Sequence, residues 1–266
     1  MARFKVYIEY EGTRYSGWQV QTNARTVQGE LQAAAGKLFN SVDIELYGSG
    51  RTDAGVHALR QVAHLDVATV LAPEIIRMKL NDSLPADINI LEIEKAPKNF
   101  HARYDALARS YLYQISQRRT AFGKRYVWWV KDKLNVPQMK DGAQLFVGLK
   151  NFQSFTADDP EEKSTKVNVE RITLRKTGDL ILIRIEGSHF LWKLVRQIVG
   201  VLVEVGREKL SAPDIESFLS AKSDAPAKLT APPSGLFLER VYYRGDTKLD
   251  RLDPVMHISN LISTHR

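Results

Sequence analysis

The chain has 266 residues, no cysteine, 44% apolar and 26% charged residues, and a formal net charge of +7. This length points to about two domains with a sizeable core, and the missing cysteines exclude disulfides, thiolate catalysis and thiolate metal sites. No apolar run approaches the ~18 residues of a membrane span, and the alternating pattern that begins at Arg3 argues against a signal peptide, so a cytoplasmic location is expected.

Phe4, Val6 and Ile8 alternate with Lys5, Tyr7 and Glu9, which predicts a strand over 3–10. A loop with Gly12 and Gly17 follows; its Tyr15 and Trp18 read as packing aromatics, with base stacking the alternative. Thr26 is placed to N-cap a helix from Val27 to Phe39. A strand near 43–47 enters the stretch Gly48-Ser49-Gly50-Arg51-Thr52-Asp53-Ala54-Gly55-Val56-His57-Ala58, and a strand over 61–67 leaves it. A helix from Pro73 to Ser83 and a strand over 88–93 complete a β-α-β-β-α-β order, the split βαβ or ferredoxin-like motif.

The same order returns in the second half. Ala108 to Ser116 reads as a strand and Pro137 to Phe146 as a helix. Val167 to Lys176 and Asp179 to Glu186 read as a hairpin turning at Thr177-Gly178. A long apolar helix over 190–205, a short one over 213–221 and a strand over 236–243 close the pattern. The fold class expected is therefore α/β (α+β), with tandem pseudo-symmetric ferredoxin-like units and a central groove. The expected division is 1–104, 105–245 and a tail over 246–266.

Glycines at 48, 50 and 55 suggest a tight loop with positive φ or a close approach. Asp53 in that loop has two readings: a turn-capping side chain, or a reactive carboxylate held beside the cation Arg51. A dinucleotide fingerprint fails, because its third glycine falls on Asp53 and the loop leads into a strand rather than a helix. His57 and His64 lack an obvious third ligand, so no metal site is expected.

Charge is concentrated. Between Lys98 and Lys133 nine basic residues face only Asp105 and Asp132, with aromatics interleaved from Phe100 to Trp129. Cations for phosphates and aromatics for bases favour an RNA surface over a solvated strand pair. Tyr111 and Tyr113 share one strand face, either as a cross-strand aromatic pair or as a functional group. Arg196 edges a polar strip on the helix 190–205, either snorkelling or half-buried and in need of a carboxylate. Gly200, one turn on, leaves space above it.

The stretch over 48–64, GSGRTDAGVHALRQVAH, resembles the signature of the bacterial TruA family of tRNA pseudouridine synthases, which act at tRNA positions 38, 39 and 40. Glu11-Gly12-Thr13, Gly17-Trp18-Gln19 and Thr26 to Leu31 are similar to that family's N-terminus. Further similar motifs follow in the right order: Phe100 to Tyr104, Ala108 to Tyr113, Phe190 to Gly200 and Thr230 to Leu236. The resemblance implies duplicated ferredoxin-like units, a homodimer, no cofactor, and isomerisation of uridine to pseudouridine in the tRNA anticodon stem-loop. It implies Asp53 as the catalytic nucleophile or, on a glycal-type route, the catalytic carboxylate, with Tyr111 as a base-contacting tyrosine and Arg196 as the arginine paired to the aspartate. Substrate contacts are implied at Arg51, Tyr111, Phe100, His101, Ala102, Arg103 and Tyr104. A looser alignment adds Lys163, Ser164, Thr165, Lys166 and Val167. The family often carries Trp-Arg-Asn where this chain has Val169-Glu170-Arg171. A non-catalytic RNA-binding protein is the competing class.

Overall fold

The computed structural model describes residues 1–41, 44–156 and 164–257. The chain forms two compact units, one of Met1–Arg109 with Phe237–Thr247, the other of Ser110–Leu236 with Lys248–Arg266.

The first unit is built from β1 (Ala2–Tyr10), α1 (Val27–Phe39), β2 (Glu45–Gly48), β3 (His57–Val67), α2 (Pro73–Ser83) and β4 (Ile88–Ala96). Its strands lie in the order β4-β1-β3-β2, each antiparallel to its neighbour. That is the ferredoxin-like order the sequence pattern implies. Alternation does what the pleat requires: Phe4, Val6, Ile8 and Tyr10 are buried, while Arg3, Lys5, Tyr7 and Glu9 are half-buried on the other face. Thr26 caps α1 by accepting the Gly29 N–H (3.3 Å), and Asn40 ends it in the left-handed region with φ 50°. The helix packs on β2 and α2, and α2 packs on β4.

β3 begins at His57, four residues earlier than the sequence pattern suggests. Its edge away from β1 is shared. β2 pairs with Ala63–Asp66, and β10 (Leu236–Tyr242) runs parallel beside the start, Phe237 against His57 and Leu238 against Ala58. This partner comes from the far end of the chain, so nothing local in sequence announces it. It also puts Phe237–Thr247 with the N-terminal residues, whereas the linear division assigned 237–245 to the second half and 246–247 to the tail.

The second unit contains β5 (Ala108–Ser116, from Ser110 on), β6 (Trp128–Trp129), α3 (Val136–Gln144), β7 (Gly148–Asn151), β8 (Lys166–Thr177), β9 (Leu180–Gly187), α4 (Leu194–Gly206), α5 (Ala212–Ser220) and α6 (Ala225–Lys228). Its sheet runs β5-β9-β8-β7. β5, β9 and β8 repeat the relation of β1, β3 and β2. The short strands β6 and β7, and α6, carry no sequence period of their own. All of β9 is buried, and α3 packs on α4.

α4 starts at Leu194 rather than at 190. Lys193, at its N-cap, takes φ 62° and so breaks the helical path, leaving Phe190 to pack edge-on against Tyr111 with ring centroids 5.1 Å apart. The space above Gly200 is filled by main chain: a β-carbon there would meet the Leu229 carbonyl oxygen at 1.7 Å. Gly200→Ala is therefore expected to destabilise the fold by about 1–3 kcal/mol. Equilibrium urea unfolding measures this, and an unchanged midpoint would show that the 229–231 crossing yields freely.

Candidate active site

The loop carrying Asp53 joins β2 to β3 in the first unit, and its main chain is held from two sides. On the sheet side the Ser49 N–H donates to the Val62 carbonyl (2.7 Å) and the Ser49 hydroxyl to Gln61 Oε1 (2.7 Å). The Gln61 amide in turn donates to the Gly50 carbonyl (3.0 Å). On the other side the Trp18 N–H donates to the Thr52 carbonyl (3.1 Å), and Tyr10 and Thr52 share a hydroxyl–hydroxyl bond of 2.8 Å. The Gly55 N–H donates to the Tyr15 carbonyl (3.3 Å), and the Val56 N–H closes a turn on the Asp53 carbonyl (3.1 Å). Asp53 is thus half-buried on a rigid turn, between exposed Arg51 and Ala54.

Arg51 donates through Nε to Gln19 Oε1 (3.1 Å). Tyr15 and Trp18 are buried, so they pack under the loop rather than offering faces to a base. Of the loop's three glycines only Gly55 has positive φ (78°); Gly48 makes room for the Trp18 ring, and Gly50 has open space around it.

The segment 100–104 is held by its backbone in the same unit. Arg3 donates to the Phe100 carbonyl (2.7 Å) and Tyr243 to the Ala102 carbonyl (2.6 Å). The Ala102 N–H donates to His64 Nδ1 (3.1 Å). Arg109 donates to the Arg103 carbonyl (3.0 Å) and to the Ser49 carbonyl (3.0 Å), tying this segment to the Asp53 loop. His101 Nδ1 accepts the Arg103 N–H (3.1 Å) and sits half-buried; Arg103 and Tyr104 are exposed, and Ala102 is buried. Ala102 therefore serves the segment's seating, while Arg103 and Tyr104 offer side chains outward.

His57 and His64 are structural. His57 accepts the Gly12 N–H through Nδ1 (3.0 Å) and stacks on Phe237 at 4.8 Å. Among the described residues no group of three or more His, Asp or Glu could hold a metal ion.

In the second unit Tyr111 lies half-buried on β5, and Tyr113 is fully buried with its hydroxyl on the Pro232 carbonyl (2.7 Å). Burial pushes the Tyr113 phenol well above its ordinary range, with nearby Arg196 opposing, so it stays a neutral donor. Arg196 is half-buried on α4 and clamped to the crossing segment: its Nε donates to the Ala231 carbonyl (2.7 Å), and the Ala231 N–H returns to its own carbonyl (3.0 Å). A guanidinium held by one edge in this way has fixed aim.

The looser stretch divides. Lys163 lies outside the described residues. Ser164 and Lys166 are exposed, whereas Thr165 and Val167 are buried, with the Thr165 hydroxyl on Asn151 Oδ1 (2.6 Å). The departure at Val169-Glu170-Arg171 has a structural use. Glu170 pairs with Lys248 (2.6 Å), and Arg171 donates to the Leu249 carbonyl (3.1 Å). Arg175 adds bonds to the Leu252 carbonyl and Asp253 (both 2.9 Å), so β8 carries the start of the C-terminal tail.

Arg109, Gln61 and Tyr10 brace the site and were not singled out from sequence. Gln61 left one signal: a polar side chain at an inward strand position, fully buried.

Comparison with known proteins agrees with the pattern. A family model described as tRNA pseudouridine synthase matches residues 6–105 and 143–244. A protein named tRNA pseudouridine synthase A from Bartonella tribocorum is 39% identical over 248 residues, covering 91% of this chain and all of the relative. Proteins of the same name from Nitrobacter winogradskyi (39% over 252 residues, 94% and 98% covered) and Rhodopseudomonas palustris (40% over 246 residues, 91% and 100%) are similar.

His64 gives the site a pH signature. Burial first, then the charges of Arg3 and His101, lower its pKa from 6.5 to about 4. The unfolded chain therefore binds this proton more readily than the folded one. The stability contributed by neutral His64 is complete above pH 6.5 and is lost as pH falls towards about 4, on the order of 1–3 kcal/mol. His64→Gln keeps an acceptor for Ala102 but does not titrate. Its urea midpoint is expected to fall less than wild type across that window, and parallel curves would remove His64 as the cause.

Proposed function

The chain belongs to the tRNA pseudouridine synthase family, and on that footing we propose that it isomerises uridine at positions 38, 39 and 40 of the tRNA anticodon stem-loop with Asp53 as nucleophile. That the enzyme converts uridine to pseudouridine in tRNA rests on the family match running through both units. The anticodon positions and the residue roles are our reading. They are supported by the resemblance of the Asp53 loop and by its bracing on both flanks.

The reaction breaks the C1′–N1 bond, turns the uracil and rejoins it through C5, with the C5 proton lost and N1 protonated. Nothing is oxidised and no group is added, so the chemistry calls for a carboxylate, a fixed cation and control of a proton. In our reading Asp53 attacks C1′ as the glycosidic bond opens. In the same reading Arg196 is the cation paired to that carboxylate. The Tyr111 ring supports the uracil, and its hydroxyl serves the proton step at C5. The target base has to leave its stack, at a cost of a few kcal/mol. Arg51, the exposed side chains of segment 100–104, and Ser164 and Lys166 offset this cost through phosphates and base faces. The resemblance adds a homodimer without a cofactor. No helix among the described residues is long and apolar enough to cross a membrane, and a cytoplasmic location suits a tRNA substrate.

Pseudouridine mapping on an unmodified tRNA transcript tests this. New pseudouridine in the anticodon stem-loop is expected with wild type. With Asp53→Asn, turnover should fall by at least about 10³-fold while tRNA affinity stays within a few-fold. Activity retained in that variant would overturn the nucleophile. Tight binding by wild type with no isomerisation would instead favour a non-catalytic RNA-binding protein. Tyr111→Phe is expected to bind tRNA normally and to lose turnover, as read by single-turnover kinetics; wild-type rates would show that the hydroxyl is dispensable.

A further inference from the structure

Tyr47, on the strand that leads into the Asp53 loop, is half exposed at 50%, and Tyr104 is 78% exposed. Neither ring hangs free. Tyr47 stacks on His64 with centroids 5.3 Å apart and planes 25° apart, and lies 6.2 Å from the His101 ring. His101 in turn meets Tyr104 at 4.2 Å and 31°. His64, beneath them, is only 2% exposed and is hydrogen-bonded to the Ala102 N–H, so the stack stands on a fixed base.

We propose that Tyr47, His101 and Tyr104 form a stacking platform for an unstacked nucleobase of the tRNA, with Tyr47 as a binding residue that family resemblance does not supply. Aromatic side chains held in place present π-faces with little further loss of rotamer entropy, which is what sequence-tolerant base stacking needs. The surroundings suit a polynucleotide. Lys98 and Arg103, on the segment that carries His101 and Tyr104, are exposed cations. Of the acids around it, Asp105 accepts the His101 N–H (2.8 Å) and Asp66 is paired with Arg3, while Glu45, two residues before Tyr47 on the same strand face, is exposed. A strand pair alone would account for Tyr47 resting on His64. It does not account for two solvent-exposed tyrosines that both meet one histidine ring, on a surface that also carries the exposed cations Lys98 and Arg103. The proposal rests on tRNA being the substrate, and it adds where one of its bases is held.

The test is tRNA affinity, by fluorescence anisotropy with a labelled, unmodified transcript at several salt concentrations, for wild type, Tyr47→Ala and Tyr47→Phe. Tyr47→Ala should weaken Kd about tenfold, roughly 1.4 kcal/mol. The salt slope should stay unchanged, because no cation is lost. Tyr47→Phe keeps the ring and should stay within twofold of wild type. A Kd for Tyr47→Ala within twofold of wild type would overturn the platform. So would equal weakening by both variants, which would assign the effect to the hydroxyl. Loss of self-association by Tyr47→Ala with tRNA affinity intact would make the surface a protein interface and would also overturn it. Wild type that fails to bind tRNA at all would count against the parent reading instead.

Discussion

The structure of the first unit depends on how a short, glycine-rich loop is kept still. Residues 49–55 have few side chains large enough to pack, so the loop cannot order itself by burial. Its order comes from main-chain hydrogen bonds to elements that are themselves fixed. The Trp18 N–H holds the Thr52 carbonyl, and Tyr15 holds Gly55. Both aromatic residues are anchored by burial of their rings, which converts apolar packing into positional control of a polar loop. A carboxylate on such a turn keeps its geometry when a substrate arrives, and little reorganisation is left to oppose the reaction.

The sheet extends the same logic. β3 leaves the loop and immediately needs partners on both edges, because it is buried almost throughout. β1 supplies one edge; β2 and β10 divide the other between them. The strand that begins at His57 is therefore completed only when the end of the chain returns. His57 shows the result: its ring is stacked on Phe237 and its Nδ1 is bound to the Gly12 N–H. In the second unit a crossing segment does comparable work. Residues 229–231 pass over Gly200 and lock Arg196 by its side chain and its backbone together.

Charge in this protein has two uses that composition cannot separate. Within the basic window, Arg109 is spent on the carbonyls of Ser49, Arg103 and Ala106, and Arg118 pairs with Asp179 at 3.3 Å. Arg171 and Arg175, outside the window, hold the C-terminal tail. Arg103 and Lys98, by contrast, are exposed. The window also divides between the two units after Arg109. A run of cations in sequence is thus partly scaffold and partly surface, and hydrogen-bond geometry sorts one from the other.

What the sequence determined by itself follows from short-range physics. Alternation set β1, the Thr26 cap set the start of α1, and the β-α-β-β-α-β order set the strand neighbours of the first unit, because period and capping act within a few residues. The glycine-rich signature around Asp53 was legible for the same reason, and it carried the family. Tertiary structure decided what depends on distant partners. β10 beside β3, Gln61 and Arg109 under the loop, and Tyr47 stacked towards His101 each join residues far apart in the chain. The early break of α4 at Lys193 belongs here too, since Phe190 leaves the helical path to pack on Tyr111. Such pairings are chosen by which surfaces remain to be buried once the local elements exist, and no local pattern encodes that choice.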